Sequence, residues 1–269
     1  MSSAVIVEGK RVKARIPRRH KFVLTPDVAN SVDEHMNSLE NTGTGVEQTA
    51  SQLISKEPNP LLRQRSVSAI SSLSGQLRER TAPLHGQIER LLQLPGAIRT
   101  CADYKDWLGR FLGLYDPLEC SLATFSGWDS LGLSILSRNH TRCLVDDLVA
   151  LGTDPRELPR ASSALLPDLP TFAHALGSLY VIEGATLGGR LILRDLEPRI
   201  GTLITGATGF FGGRGEAVGP MWQSFRVALE EFGARQPRLC ADVVVGAERT
   251  FRAMLVWFAR FSVVKGGQP

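Results

Sequence analysis

The stretch that decides the fold is TFAHALGSLYVIEGATLGGRLILR, residues 171–194. Its apolar residues recur at helical spacing, which predicts one long helix. Four glycines interrupt this pattern, namely Gly177, Gly184, Gly188 and Gly189. A glycine inside a helix costs about 0.5–1 kcal/mol relative to alanine, so four of them in one helix require a structural or functional reason.

A helix face almost without side chains is the main consequence of these glycines. Gly184 and Gly188 stand four residues apart, so they lie one above the other, and the residues around them are Ala185, Thr186 and Gly189. Such a face lets two helices cross closely, which is the simpler explanation, or it lets a flat ligand contact the backbone. The cluster also permits a bend in the helix.

Charge and composition restrict the class of protein. Glu183, Arg190 and Arg194 interrupt the apolar run short of the roughly 20 residues that a bilayer requires, which predicts no membrane span. The chain has 269 residues and is 43% hydrophobic, as in soluble globular proteins. Residues 1–76 contain ten Lys and Arg against seven Asp and Glu, whereas the remainder has 21 against 20. The pI near 9.0 therefore reflects the N-terminal part and does not indicate a nucleic-acid partner.

The N-terminal part differs from the rest of the chain. A basic run, Lys10–Lys21, is followed by a polar stretch without helical period. This predicts a disordered extension over residues 1–74 and a folded domain over residues 75–265. A functional basic arm, an organelle presequence or a misassigned translation start leaves the same pattern, although the acidic residues from Asp27 onward argue against a presequence.

The cysteines are widely spaced and form no C-x-x-C pair; they are Cys101, Cys120, Cys143 and Cys240. This pattern gives neither a disulfide framework nor a zinc site. It predicts reduced, mostly buried thiols and a cytoplasmic protein, and no apolar secretory signal follows the N-terminus.

The remaining sequence predicts an all-α domain of six or seven helices. The predicted second helix is kinked or broken near Pro117, and a glycine-rich loop over residues 201–219 precedes the last two helices. Besides the glycine-dense helix, the predicted helices are a first one from Leu77 to Pro95-Gly96, then 102–125, 137–151, 220–232 and 241–261.

His85 is the candidate metal ligand, because it lies one helical turn before Glu89. An imidazole that binds a metal through Nε2 needs an acceptor for its Nδ1–H, which a carboxylate provides. A simple surface pair is the commoner explanation of this spacing. No other ligand stands at metal-site spacing around His85, and the chain has no E-x-x-H, which excludes a di-iron carboxylate bundle. A single imidazole suits a metal whose other ligands come from a macrocycle, as in haem.

Four segments together resemble the haem oxygenases, especially the bacterial type associated with phytochromes. They occur in the family's order over about residues 76–262, and they are LRERTAPLHGQIE (77–89), DDLVALG (146–152), LGSLYVIEGATLGGRLI (176–192) and FFGGRGEAVGPMWQSF (210–225). The resemblance implies a haem oxygenase-like helical bundle with a kinked, glycine-rich helix on the distal side of the haem.

The resemblance also implies roles for individual residues. His85 would be the proximal ligand of the haem iron, with Glu89 as the acceptor that orients it. Gly184 and Gly188 would flank the bound O2. The other implied contacts are Arg78 and Arg226 at the haem propionates, Tyr180 near the propionate edge, Gly189 in the distal glycine face and Phe251 against the macrocycle.

Ala185 departs from the family pattern. Several members carry Asp at this position, where it organises water for proton delivery, so Thr186, backbone-held water or a residue from another helix would take that role here. The departure bears on which meso carbon is cut.

The implied reaction uses haem b as both cofactor and substrate, together with O2 and electrons from an external reductant. A ferredoxin or a flavoprotein is the implied donor, the products are biliverdin, CO and ferrous iron, and a phytochrome is a candidate acceptor of the biliverdin. Two alternatives remain at this point. Ala185 is compatible with a haem-binding or haem-carrier module without oxygenase activity, and a helical bundle that binds no haem would use the glycines for close packing alone.

The other histidines of the domain are interpreted as structural. His140 lies in a polar turn and is predicted to be a helix-start or surface residue. His174 precedes Gly184 by about ten residues, or about 15 Å along a helix. Seven aromatic residues are predicted to lie in the core: Trp107, Phe111, Tyr115, Phe225, Phe251, Trp257 and Phe258.

Overall fold

The computed structural model describes residues 72–213 and 215–261, and within these ranges it contains seven α-helices and no strand. The predicted all-α class is confirmed. In chain order the helices are α1 (Leu73–Leu92), α2 (Cys101–Ala123), α3 (Thr141–Ala150), α4 (Phe172–Ile200), α5 (Gly209–Gly212), α6 (Val218–Arg235) and α7 (Cys240–Ala259). Short 3₁₀ turns lie between several of them.

Helix α1 begins four residues before the predicted Leu77, because its first turn is capped from two sides. The Ser72 hydroxyl oxygen accepts a hydrogen bond from the Gly75 N–H at 3.1 Å. The Glu230 carboxylate of α6 accepts from the N–H groups of Leu73 and Ser74 at 3.0 and 2.9 Å. A carboxylate is favourable there, since it faces the positive end of the helix dipole. The predicted N-terminal extension otherwise lies outside the described residues.

Helix α2 does not break at Pro117, so that prediction is wrong. A proline inside a helix removes one backbone donor and crowds the preceding turn, yet α2 continues through it as one element. The neighbouring Tyr115 and Leu118 are buried, and this packing holds the helix together on both sides of the proline. The helix starts at a capping box formed by Thr100 and Asp103.

The region predicted as a glycine-rich loop contains a short helix, α5. The Asp147 carboxylate of α3 accepts hydrogen bonds from the N–H groups of Gly209 and Phe210, both at 2.8 Å. Burial raises the pKa of Asp147, while these two hydrogen bonds oppose the shift. Because the capping residue lies 62 positions earlier in the chain, local sequence could not indicate α5.

Helices α4 and α7 form the tightest crossing in the domain. A Cβ atom placed on Gly177 would lie 1.8 Å from the Val243 carbonyl oxygen, and one on Gly246 would lie 2.1 Å from the His174 carbonyl oxygen. The simpler explanation of the glycines is therefore correct for Gly177. His174 is structural, as predicted: its side chain is buried, and its Nδ1 lies 2.8 Å from the Thr171 hydroxyl at the start of α4.

This crossing leads to a stability prediction. We expect Gly177→Ala to lower the free energy of unfolding by about 3 kcal/mol, the upper part of the usual range for overpacking, because the new methyl group would meet backbone that cannot rotate away. Urea unfolding monitored by circular dichroism measures the change. The control is Gly86→Ala on α1, where the nearest atom to the added Cβ is the flexible end of Arg90 at 3.3 Å. Equal stability of the two variants would contradict the crossing.

Helix α4 is longer and more apolar than the sequence argument allowed. The stretch Phe172–Leu203 meets the length and composition of a membrane-spanning helix, so the charged residues do not by themselves exclude a span. Residues 173–179, which lie inside this stretch, are all buried within the domain. Core helices of folded domains have the same length and composition, and the stretch is therefore weak support for a membrane span.

The aromatic core is as predicted, but the cysteines are not. All seven aromatic residues assigned to the core are buried. All four cysteines are free thiols; Cys120 is exposed and the other three are half-buried. The prediction of mostly buried thiols is therefore wrong, because the widely spaced cysteines lie near helix ends and outer faces rather than at core positions.

Candidate functional site

The two helices that carry the predicted site, α1 and α4, each pack against α7. His85 lies on α1, and its side chain is 51% exposed. Its Nδ1 atom is 3.5 Å from Glu89 Oε1, as the one-turn spacing predicts. Phe251 of α7 meets the imidazole edge-on, with ring centroids 5.9 Å apart and planes at 79°. The carboxylate thus stands at Nδ1, which leaves Nε2 as the nitrogen for a metal.

The four glycines of α4 serve two different purposes. A Cβ atom on Gly188 would have no heavy atom of another group within 4 Å, and one on Gly184 would be 3.8 Å from the Trp222 ring of α6. These two positions form the open glycine face. Gly189 is instead buried, and a Cβ atom there would lie 2.7 Å from the Phe211 carbonyl oxygen. Gly189 therefore belongs with Gly177 to the close packing rather than to the open face.

Thr186 does not share the open glycine face. It stands two residues from both Gly184 and Gly188, which places it on the opposite side of the helix. Its hydroxyl donates a hydrogen bond to the Glu183 carbonyl oxygen at 2.6 Å. Ala185, in contrast, is exposed. The helix is uninterrupted from Phe172 to Ile200, and the predicted bend at the glycine cluster stays a prediction.

The residues assigned to the propionates lie at different places. Arg78 is exposed on α1. Arg226 lies on α6 near Glu230, and its charge helps to lower the pKa of that carboxyl group, which caps the start of α1. Tyr180 contacts Trp222, with ring centroids 5.7 Å apart. Tyr180 therefore approaches the open glycine face through Trp222.

A buried ion pair next to the open glycine face was missed by the sequence argument. Glu183, the residue before Gly184, accepts a hydrogen bond through Oε2 from Arg138 Nη1 at 2.6 Å, and the two side chains are 2% and 4% exposed. Arg138 Nη2 also donates to the Met221 carbonyl oxygen at 3.2 Å and to the Ser224 hydroxyl at 2.9 Å. A charged residue inside an apolar helix was a signal for such a pair, but its partner lies 45 positions away.

His140 belongs to a second buried cluster. It is the residue before α3, as predicted, but it is not a surface residue, because only 6% of it is exposed. Glu119 of α2 lies 2.9 Å from its Nδ1 and accepts its backbone N–H at 2.7 Å and that of Thr141 at 3.0 Å. Burial raises the pKa of Glu119, but the bonds from His140 and Thr141 outweigh it, and the net pKa lies below the ordinary 4.5.

The two clusters face one cavity. His140 Nε2 and Glu183 Oε1 are buried side-chain atoms without a hydrogen-bond partner, and both residues line the cavity together with Thr186. With Nδ1–H donated to Glu119, Nε2 of a neutral imidazole is an acceptor, as is the carboxylate oxygen. Two acceptors at one cavity require a donor for each, and a single water molecule can supply both.

Glu119 gives a pH-dependent prediction. A carboxyl group whose folded pKa lies below its unfolded value stabilises the fold above pH 4.5, and this contribution is lost as the pH falls through the folded pKa. We expect Glu119→Gln to lower the free energy of unfolding by about 1–3 kcal/mol at pH 7. The difference from wild type narrows below pH 4.5 in urea titrations from pH 7 to 3. A difference that does not change with pH would contradict the assignment.

A metal at His85 would need ligands from elsewhere. Among residues 72–213 and 215–261, no group of three or more His, Cys, Asp and Glu side chains could hold a metal ion. A single axial imidazole with an oriented Nδ1 and open backbone on another helix fits an iron that arrives with four macrocycle nitrogens. The donor set therefore matches haem better than a free ion.

The comparisons with known proteins agree with this geometry. A family model described as "Heme oxygenase" matches residues 71–260, which include all seven helices. A comparison with curated proteins finds no match, and a comparison with solved structures finds none either.

Proposed function

Because the chain belongs to the haem oxygenase family, we propose that it cleaves haem oxidatively to biliverdin and releases CO and ferrous iron. Membership of the family supports haem as the substrate. The observation that carries the proposal is the half-exposed imidazole of His85, which has Glu89 at Nδ1 and Phe251 at its ring edge. When bound, haem supplies the iron that activates O2 and the ring carbon that is oxidised.

Each residue of the site has a distinct part in this proposal. His85 binds the iron through Nε2, and Glu89 accepts the Nδ1–H, which fixes the tautomer and strengthens the ligand. Phe251 restricts rotation of the imidazole. The open glycine face lets the backbone of α4 approach the distal side of the ring. Since Ala185 cannot donate or accept a proton, the protons required would arrive through water at this exposed position.

The finer assignments are also proposals. We place the chain with the bacterial, phytochrome-associated haem oxygenases because it combines the E-G-x-T-L-G-G run with L-R-x-x-T-x-x-x-H. The electron donor would be a ferredoxin or a flavoprotein, and a phytochrome would accept the biliverdin. The propionates would meet Arg78, Arg226 and Tyr180. The free, widely spaced cysteines support a cytoplasmic location.

The proposed activity is tested by reconstitution. The full chain is loaded with hemin under anaerobic conditions, and the Soret band of the complex is recorded. Reductant and air are then added. Replacement of the Soret band by the broad red absorption of biliverdin, with CO trapped by ferrous myoglobin, is the expected result. A chain that folds but does not change the hemin spectrum would overturn the proposal.

Ala185 motivates a second candidate function, a module that binds or carries haem without cleaving it. The same experiment separates the two. A carrier shows a stable Soret band that persists after reductant and air, and it passes haem to apomyoglobin. The oxygenase consumes haem instead.

The orienting carboxylate gives a further prediction. Loss of a residue that orients a metal ligand typically weakens binding or activity about 10- to 100-fold. We expect Glu89→Ala to weaken hemin binding by that factor in a spectrophotometric titration. Glu89→Gln keeps an acceptor oxygen but loses the charge, so its affinity should lie between those of wild type and Glu89→Ala. Wild-type affinity in Glu89→Ala would show that the pair is only a surface ion pair.

A further inference from the structure

The glycine-dense part of α4 is held at three points. Gly177 meets the backbone of α7, and Gly189 meets the backbone of α5. Between them, Glu183 forms the buried ion pair with Arg138. The open glycine face starts at the residue after this pair and ends at the residue before Gly189. The pair is therefore the side-chain anchor closest to the open face.

The ion pair connects α4 to α6 at the level of the open glycine face. Arg138 binds Glu183 on α4 and, through its other terminal nitrogen, the Met221 carbonyl oxygen and the Ser224 hydroxyl on α6. Trp222 of the same α6 segment lies 3.8 Å from the Cβ position of Gly184. The spacing between α4 and α6 is thus limited by a ring on one side and fixed by a guanidinium fork on the other.

Packing cannot do this work where α4 has no side chains. Glycines leave a helix with few lateral contacts and more conformational freedom, so this part of α4 needs a directional constraint from outside. A buried guanidinium and a buried carboxylate provide one, because they satisfy each other and their remaining partners in a single geometry. The carboxylate has no spare buried donor apart from the cavity at Oε1, so a displaced α4 would leave a charge unpaired.

We propose that the Arg138–Glu183 pair is a positioning element that sets the distance and orientation of the open glycine face relative to bound haem. This inference rests on the proposed haem oxygenase function. In this role the pair determines which meso edge of the ring faces the activated oxygen. Neither residue touches the ring; both act through the backbone of Gly184 and Gly188.

The test separates positioning from stability. Glu183→Gln leaves a buried unpaired cation, and Arg138→Met leaves a buried unpaired carboxylate, so both single variants should be less stable. The double variant Glu183→Met/Arg138→Met removes both charges, and replacing a whole buried pair by apolar residues is often close to neutral for stability. The double variant should therefore unfold near the wild-type urea midpoint.

Two readouts report on position. The first is the C–O stretching frequency of the ferrous CO complex, which senses the distal backbone without turnover. The second is the isomer composition of the biliverdin formed. In the double variant we expect a shifted C–O stretch and a changed isomer ratio at wild-type stability. The matched control is Asp116→Met/Arg160→Met, which replaces a 2.6 Å ion pair away from α4 and should leave both readouts unchanged.

Each result decides the inference. Wild-type stretch and isomer ratio in the stable double variant would overturn it. If the double variant does not fold, Arg138→Lys decides, because lysine keeps the charge but loses the fork that reaches Ser224, and an unshifted C–O stretch in it would overturn the inference. A wild-type chain that binds haem but forms no biliverdin would refute the proposed function alone, while the C–O stretch would still test the positioning role.

Discussion

Replacing His85 with alanine is expected to abolish axial ligation of haem and at least about 99% of haem turnover. The loss should exceed the roughly 100-fold effect of removing a residue that merely orients a ligand, because the ligand itself is removed. The variant should fold normally, since the side chain is 51% exposed and contributes little to the core. The absence of the wild-type Soret band in a hemin titration is the primary measurement.

Chemical rescue sharpens this prediction. The truncated side chain leaves room beside Phe251, and added imidazole should enter it and restore a six-coordinate or five-coordinate histidine-like spectrum. The control is His174→Gln, which removes an imidazole that bonds to Thr171 and should keep the wild-type Soret band. A His85→Ala chain that retains that band and the full turnover would refute His85 as the ligand.

The sequence was sufficient for the local part of the fold. Helical spacing predicted the long helix around Gly184, and turn residues predicted most helix ends within a few positions. The helix through Pro117 and the short helix α5 were not predicted correctly. In both cases a tertiary contact decides the outcome: core packing carries α2 past the proline, and the Asp147 carboxylate caps α5 from another helix.

The candidate site divides in the same way. The pairing of His85 with Glu89 follows from their spacing along one helix, so the sequence predicted it. The different roles of Gly188 and Gly189 depend on what lies opposite each residue, and a sequence pattern treats the two alike. The Arg138–Glu183 pair joins residues 45 positions apart. An isolated Glu in an apolar helix indicates that a partner is required, but only the fold identifies it.

Gly188 provides the strongest test of the open glycine face. We expect Gly188→Leu to keep or raise the free energy of unfolding, by up to about 1 kcal/mol, because the position is open and leucine is a better helix former than glycine. The same side chain would occupy space that the macrocycle requires. Overpacking of about 1–3 kcal/mol corresponds to roughly 5- to 150-fold weaker hemin binding, and hemin titration together with urea unfolding measures both effects.

The opposite signs of these two effects distinguish a ligand face from a packing face. At Gly177 an added methyl group should destabilise the fold, whereas at Gly188 a larger side chain should leave the fold intact and impair binding. Arg194→Leu adds the same side chain to an exposed position of α4 outside the open face, so it should leave hemin affinity unchanged. If Gly188→Leu binds hemin as wild type does, the distal surface lies elsewhere and the assignment of α4 to it is wrong.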